Sequence, residues 1–192
     1  MSKSKAELQD EGNPWTLLGS NVVYDNPWIK VRQDDVLDPS GKETIYGVVS
    51  AKHLAIGILP LDEEYNTWLV GQYRYPLERY SWEIVEGGGK FDVDPIISGK
   101  RELLEETGIT AEHWQHIMTI HTSNCIADET AYLYVAKGLT FGQSQPDSNE
   151  KLQVAKVPFT EVYQMVLDGR ITDSMSVTTI LRAHILIQEG KL

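Results

Sequence analysis

The first half of the chain is written mainly in short apolar stretches with the period of strands. Residues 17–24 are followed by Trp28-Ile29-Lys30-Val31-Arg32, where apolar and basic side chains alternate with period two. Asp38-Pro39-Ser40-Gly41-Lys42 carries Pro and Gly where a tight turn uses them, so the flanking segments predict a hairpin, with Thr44-Ile45-Tyr46-Gly47-Val48-Val49 as the returning strand. Residues 53–59 and 68–74 are short and apolar, as buried strands are, with an acidic turn between them. Ser81-Trp82-Glu83-Ile84-Val85 predicts one more strand, running into a loop at Gly87-Gly88-Gly89. Asp94 and Pro95 then supply an N-cap and a first-turn proline for a helix that Gly108 ends. Strands are expected near 117–122 and 131–136, and a polar loop at 144–149. Two closing helices follow, Phe159–Leu167, ended by Gly169, and roughly Ser174–Gln188, which has a broad, mostly apolar stripe of Val177, Ile180, Leu181, His184, Ile185 and Ile187. With no internal repeat, the sum is an α/β protein with a mixed or mostly antiparallel sheet.

Composition narrows the class. The 192 residues suffice for one ordinary domain with a small appended element, and a hydrophobic fraction of 41% can build a core. The polar first dozen or so residues are expected to be frayed. No apolar run reaches a membrane span, and the start has no apolar signal core. A single cysteine, Cys125, cannot form an internal disulfide, so a reducing, cytoplasmic setting is expected. The net charge of −11 argues against nucleic acid or an anionic membrane as partner. It leaves an anionic small molecule open, because charges beyond about 8 Å are screened at physiological salt.

The chemistry is concentrated in Arg101-Glu102-Leu103-Leu104-Glu105-Glu106-Thr107-Gly108-Ile109. On a helix Glu102, Glu105 and Glu106 stand at i, i+3 and i+4 and share one face, while Leu103 and Leu104 lie off it and are expected to anchor the helix. Glutamates on a helix are usually only a solvated face. Like charges so spaced repel unless a cation sits among them, and hard carboxylate oxygens suit Mg²⁺ or Mn²⁺. The glycine-rich stretch before the helix and the Thr-Gly-Ile stop favour the second reading.

From Gly87 to Ile109 the text resembles the Nudix box, Gly-x5-Glu-x7-Arg-Glu-U-x-Glu-Glu-x-Gly-U, with U apolar. The second half matches throughout; the first Glu of the box falls on Val93, and Gly99 stands inside the helix where the family usually has Ala. The resemblance implies a Nudix α/β/α sandwich around a mixed sheet, with an N-terminal antiparallel β segment. It implies Glu102 and Glu106 as principal metal ligands, Glu105 as a secondary one, and the backbone carbonyl of Glu86 completing the site. Arg101 would orient the glutamates rather than touch substrate. In the ADP-ribose pyrophosphatase branch, the loop that here reads 121–130 ends in an acidic pair. That implies Glu129 as general base with Asp128 in reserve, although this chain has Ser123-Asn124-Cys125 where the branch often reads Ser-Pro-Gly. A box glutamate is the alternative base, so Glu129, Glu105 and Arg101 make up the expected catalytic set.

Three features resemble the nucleoside diphosphate sugar branch. A strand-rich segment, 15–51, follows residues 1–14 and precedes a catalytic domain at 52–192. In that branch the segment helps build a homodimer and reaches substrate. Tyr73-Arg74-Tyr75-Pro76 and Ser81-Trp82-Glu83-Ile84 resemble the branch's Gln-Tyr-Arg and Trp-Glu motifs, which implies Arg74 on phosphate and Glu83 on sugar hydroxyls. Trp28 or Tyr46 is expected to stack on the base, an interaction worth about 1–3 kcal/mol. The expected activity is Mg²⁺-dependent cleavage of a nucleotide sugar such as ADP-ribose or GDP-mannose into a nucleoside monophosphate and a sugar phosphate. The alternatives are another Nudix substrate (a dinucleoside polyphosphate, capped RNA or a nucleoside triphosphate) and a catalytically silent nucleotide-binding regulator.

Overall fold

A computed structural model describes residues 11–144 and 151–192. The first ten residues and most of the expected polar loop, 145–149, lie outside the described residues. The chain divides into two compact units, residues 1–50 and 51–192.

In the first unit, β1 (Thr16–Asp25), β2 (Ile29–Leu37) and β3 (Glu43–Ala51, whose last residue opens the second unit) form a three-stranded sheet in that order. β1 and β2 pair antiparallel, with register shifts between Leu17 and Gly19 and between Val22 and Tyr24. The Asp38 turn closes as its residues dictate. The Asp38 carboxylate accepts from the Ser40 and Lys42 amides, and the Asp38 amide donates to the Lys42 carbonyl at 2.9 Å.

The second unit runs β4 (Leu54–Pro60), β5 (Asn66–Arg74), a 3₁₀ turn (Tyr75–Leu77), β6 (Arg79–Glu83), β7 (Val85–Gly89), α1 (Pro95–Thr107), β8 (Ile109–His121), β9 (Thr130–Phe141), β10 (Gln153–Pro158), α2 (Phe159–Leu167) and α3 (Ser174–Gln188). One sheet has the order β7-β4-β9-β8 and is mixed: β4 lies parallel to β9, while the β7–β4 and β9–β8 pairs are antiparallel. The other, β10-β5-β6, is antiparallel. β4 and β9 are apolar on both faces because both faces are covered. Ile56, Ile58, Tyr134 and Ala136 join the core that includes Leu103 of α1. The intervening Leu59, Ala131, Leu133 and Val135 join the core with Phe159, Val162, Ile180 and Ala183 of α2 and α3. The result is a helix–sheet–helix sandwich.

The strand expected at 81–85 breaks instead at Ile84, where the chain passes from one sheet to the other. The glycines expected to form a loop continue as β7, with Gly87, Gly88 and Gly89 opposite Ile56, Ala55 and Leu54. β8 is thirteen residues long and β10 is an additional edge strand. Both are largely exposed, so tertiary pairing makes them strands where burial alternation is too weak to announce them.

Gly108 follows α1 at φ +71°, its amide bonded to the Leu104 carbonyl at 2.8 Å. A Cβ there would lie 2.6 Å from the carbonyl oxygen of Gly142. Gly108→Ala should therefore cost about 1–3 kcal/mol, read as a lowered midpoint in urea unfolding. An unchanged midpoint would mean that neither the positive φ nor the close approach to Gly142 costs stability there.

Candidate active site

The Asp94 carboxylate accepts the Ile96 amide at 3.1 Å, and Pro95 occupies the first turn, so α1 begins where its caps place it. The preceding loop closes by a Val93 amide to Lys90 carbonyl bond of 3.2 Å, with no side chain needed from position 93. Leu103 is fully buried beneath the helix, but Leu104 is 43% exposed and anchors nothing. One residue turns a helical side chain by about 100°, which carries Leu104 away from the sheet. Gly99 lets the helix come close: a Cβ there would sit 3.3 Å from Ile56 and 3.4 Å from Trp114.

Gly87 explains the position of Glu102. A Cβ on Gly87 would fall 2.0 Å from the Glu102 carboxyl carbon, so only glycine leaves room for that side chain across β7. The carboxylate accepts the Gly88 amide at 3.2 Å. Arg101 donates to Glu102 and Glu105, both at 2.6 Å, and to the Gly88 carbonyl at 2.9 Å. One guanidinium thus gathers two of the three carboxylates onto the strand. Glu106, a turn on from Glu102, is buried, whereas Glu105 is half-exposed. Among the described residues no three carboxylate, imidazole or thiol groups already converge in metal-ligand geometry. Hard oxygens crowded on one helix face, with a single guanidinium between two of them, nevertheless form a donor set that fits a divalent cation.

On the other side of β7 the Glu86 side chain turns toward α3. Ser176 Oγ donates to it at 2.9 Å, and Arg74 stands 3.5 Å away. Arg74 also grips Glu83, through two bonds of 3.0 Å from Nε and a shorter one from Nη2. Arg74 and Glu83, expected to serve different parts of a substrate, here pair with each other. They line a cavity of about 400 Å³ with Arg79, Ser81, Thr172 and Asp173.

In the loop between β8 and β9, Thr122 donates to Glu129 at 2.7 Å. Asp128 is engaged elsewhere, accepting the Ala51 amide at 3.1 Å. Trp28 and Tyr46 belong to the first unit. Trp28 is 69% exposed after a turn built on the Asn26 side chain, and Tyr46 packs edge-on against Trp15 at 5.3 Å.

Residues 51–175 match the NUDIX domain model, and residues 15–49 match the nucleoside diphosphate sugar hydrolase N-terminal domain. The chain belongs to the Nudix hydrolase family. It is 31% identical over 175 residues to a methanol dehydrogenase activator of Bacillus methanolicus, covering 90% of this chain and 93% of that one. It is 30% identical over 173 residues to an ADP-ribose pyrophosphatase of Mycobacterium tuberculosis, covering 87% and 82%. A crystal structure titled as an ADP compounds hydrolase superposes with a TM-score of 0.83 at 18% identity, over 96% of this chain and all of the other, and shares the fold.

The electrostatics of this Nudix site follow from burial. Burial raises the Glu86 carboxyl well above its ordinary value, and the neighbouring Asp173 and Glu83 add to the rise. Burial also raises Glu102, a shift that Arg101 partly offsets and Glu105 reinforces. Burial works against the Arg74 charge, but Glu83, Glu86 and Asp173 outweigh it and hold its pKa above the usual value. Asp173 and Ser176 escaped the sequence reading. The only cue to them was an Asp-x-x-Ser pattern opening α3, which looks like ordinary capping.

A carboxyl raised in the folded state binds its proton more tightly there than in the unfolded chain. Its contribution is present below the ordinary Glu range and is lost as pH rises through the raised value. The metal-free protein should therefore gain thermal stability as pH falls from neutral toward about 5, and Glu86→Gln should flatten that gain. At lower pH stability should fall, because Asp62, held at about 2 despite its burial by Asn66 and Lys156, takes up a proton. A melting curve in EDTA that drops steadily from neutral pH would contradict the first part.

Proposed function

We propose that this Nudix enzyme hydrolyses the diphosphate bond of a nucleoside diphosphate sugar, with ADP-ribose as the first candidate, in a Mg²⁺-dependent reaction. The observation that carries the reading is the seating of Glu102 on Gly87, beside Glu105 and buried Glu106, on a capped and close-packed helix. Glu102 and Glu106 would hold the ion with the Glu86 backbone carbonyl, and Glu105 would assist. When bound, the ion neutralises charge on the diphosphate and acidifies the attacking water. Arg101 keeps the glutamates in place. Glu129, oriented by Thr122, takes the proton of the water as general base. Arg74 offers its remaining N–H groups to a phosphate oxygen, while Glu83, bonded at Nε and Nη2, fixes the guanidinium plane.

The substrate class rests on the match of residues 15–49 and on the relatives named ADP-ribose pyrophosphatase. Trp28 and Tyr46 are proposed as the base-stacking residues. The sheet of the first unit leaves Leu17, Val22, Val23 and Ile45 exposed, which supports a homodimer. Light scattering at assay concentration should give twice the 21.7 kDa chain mass; a monomer would refute the dimer.

A second reading, regulation of a dehydrogenase, is favoured by the relative named as an activator. It is compatible with hydrolysis. Incubation with Mg²⁺ and ADP-ribose or GDP-mannose should yield a nucleoside monophosphate and a sugar phosphate. Glu106→Gln should lower kcat by about 10²-fold or more with the fold intact. No turnover with Mg²⁺ or with Mn²⁺ in its place, or turnover of dinucleoside polyphosphates alone, would overturn the substrate assignment.

A further inference from the structure

Ser176 is fully buried in the first turn of α3, one residue beyond the matched NUDIX domain. Its Oγ accepts the Ile84 amide at 3.0 Å and donates to Glu86 Oε1 at 2.9 Å. A serine hydroxyl has one proton to give and lone pairs to receive, so these two bonds use it as both donor and acceptor. The Ser176 amide is meanwhile held by the Asp173 carboxylate at 2.8 Å, which fixes the serine by the helix cap rather than by its side chain. The hydroxyl thus grips the chain on both sides of Val85, where it passes from the β5–β6 sheet into β7.

The residue after Glu86 is Gly87, against which Glu102 lies. An error in the path of residues 84–86 is passed directly to the glutamate seat and to the Glu86 carbonyl. We propose that Ser176 is a positioning residue for the metal site, holding the Glu86–Gly87 backbone in register with Glu102 from the opposite side of the sheet. This rests on the metal-site reading given under Proposed function. Ser176 touches neither substrate nor ion, and it acts through Glu86. The sequence offers no hint of this role, since the serine lies 90 residues from its partner and outside the box.

The test is Mn²⁺ affinity, followed by the electron paramagnetic resonance of the free ion, together with kcat and KM for ADP-ribose. It uses the full-length wild-type, Glu106→Gln, Ser176→Ala and Glu86→Ala proteins and the Ser176→Ala/Glu86→Ala double variant. Ser176→Ala keeps the backbone amide that Asp173 caps and removes only the hydroxyl. The expected result is a tenfold to hundredfold loss of Mn²⁺ affinity, about the size of other outer-shell substitutions, with kcat reduced and KM little changed. Glu86→Ala, which removes one of the two bonds that Ser176→Ala removes, should show part of that loss, and the double variant should lose less than the sum, because the two share the Ser176–Glu86 bond. Ser176→Thr, which retains the hydroxyl, should recover most of the affinity, and Ser176→Cys, close in size but only a weak donor, replaces the alanine variant if that protein fails to fold. Wild-type Mn²⁺ affinity in Ser176→Ala, or additive losses in the double variant, would overturn the inference alone. Unaltered affinity in Glu106→Gln would overturn the metal-site reading, and this inference with it.

Discussion

The arrangement depends on one close approach: the Glu102 side chain crosses β7 where Gly87 has no Cβ. Everything nearby serves that contact. The fully buried Leu103 and the close packing at Gly99 hold α1 down on the sheet, and the Asp94 cap sets where the helix starts. Arg101 then ties Glu102 and Glu105 to the Gly88 carbonyl. A carboxylate cluster is self-repelling, so its geometry here comes from such constraints rather than from the carboxylates themselves.

The β6–β7 crossing has a second anchor on its other face. Arg74, Glu83, Glu86, Asp173 and Ser176 form a connected, partly buried polar network that joins the 3₁₀-turn hairpin to the start of α3. Such networks are costly unless their members are satisfied, and they confine the backbone that carries them. Burial raises the Glu86 carboxyl, and the acidic groups that outnumber the single guanidinium here add to the rise. The first unit contributes differently, through an apolar sheet surface that stays exposed within one chain.

Much of this was legible in the residues themselves. Caps and helix stops are local chemistry, so Asp94, Pro95 and Gly108 marked α1 at both ends, and Phe159–Leu167 and Ser174–Gln188 emerged as helices from periodicity. The i, i+3, i+4 glutamates share a face by helix geometry alone. Glycine followed by a box of fixed spacing identified the family. The start of β8 and the whole of β10 were not legible, because exposed strands lack the burial alternation that reading depends on.

Only tertiary structure could decide which contacts the polar residues make. It turned Leu104 outward, drew the three glycines into a strand, paired Arg74 with Glu83 and engaged Asp128 with Ala51. It also brought Ser176 to Glu86. Local sequence determines helix ends and shared faces because those interactions span a few residues. Partners 14 or 90 positions apart are selected by the sheet that lies between them, and their chemistry follows from where packing leaves them.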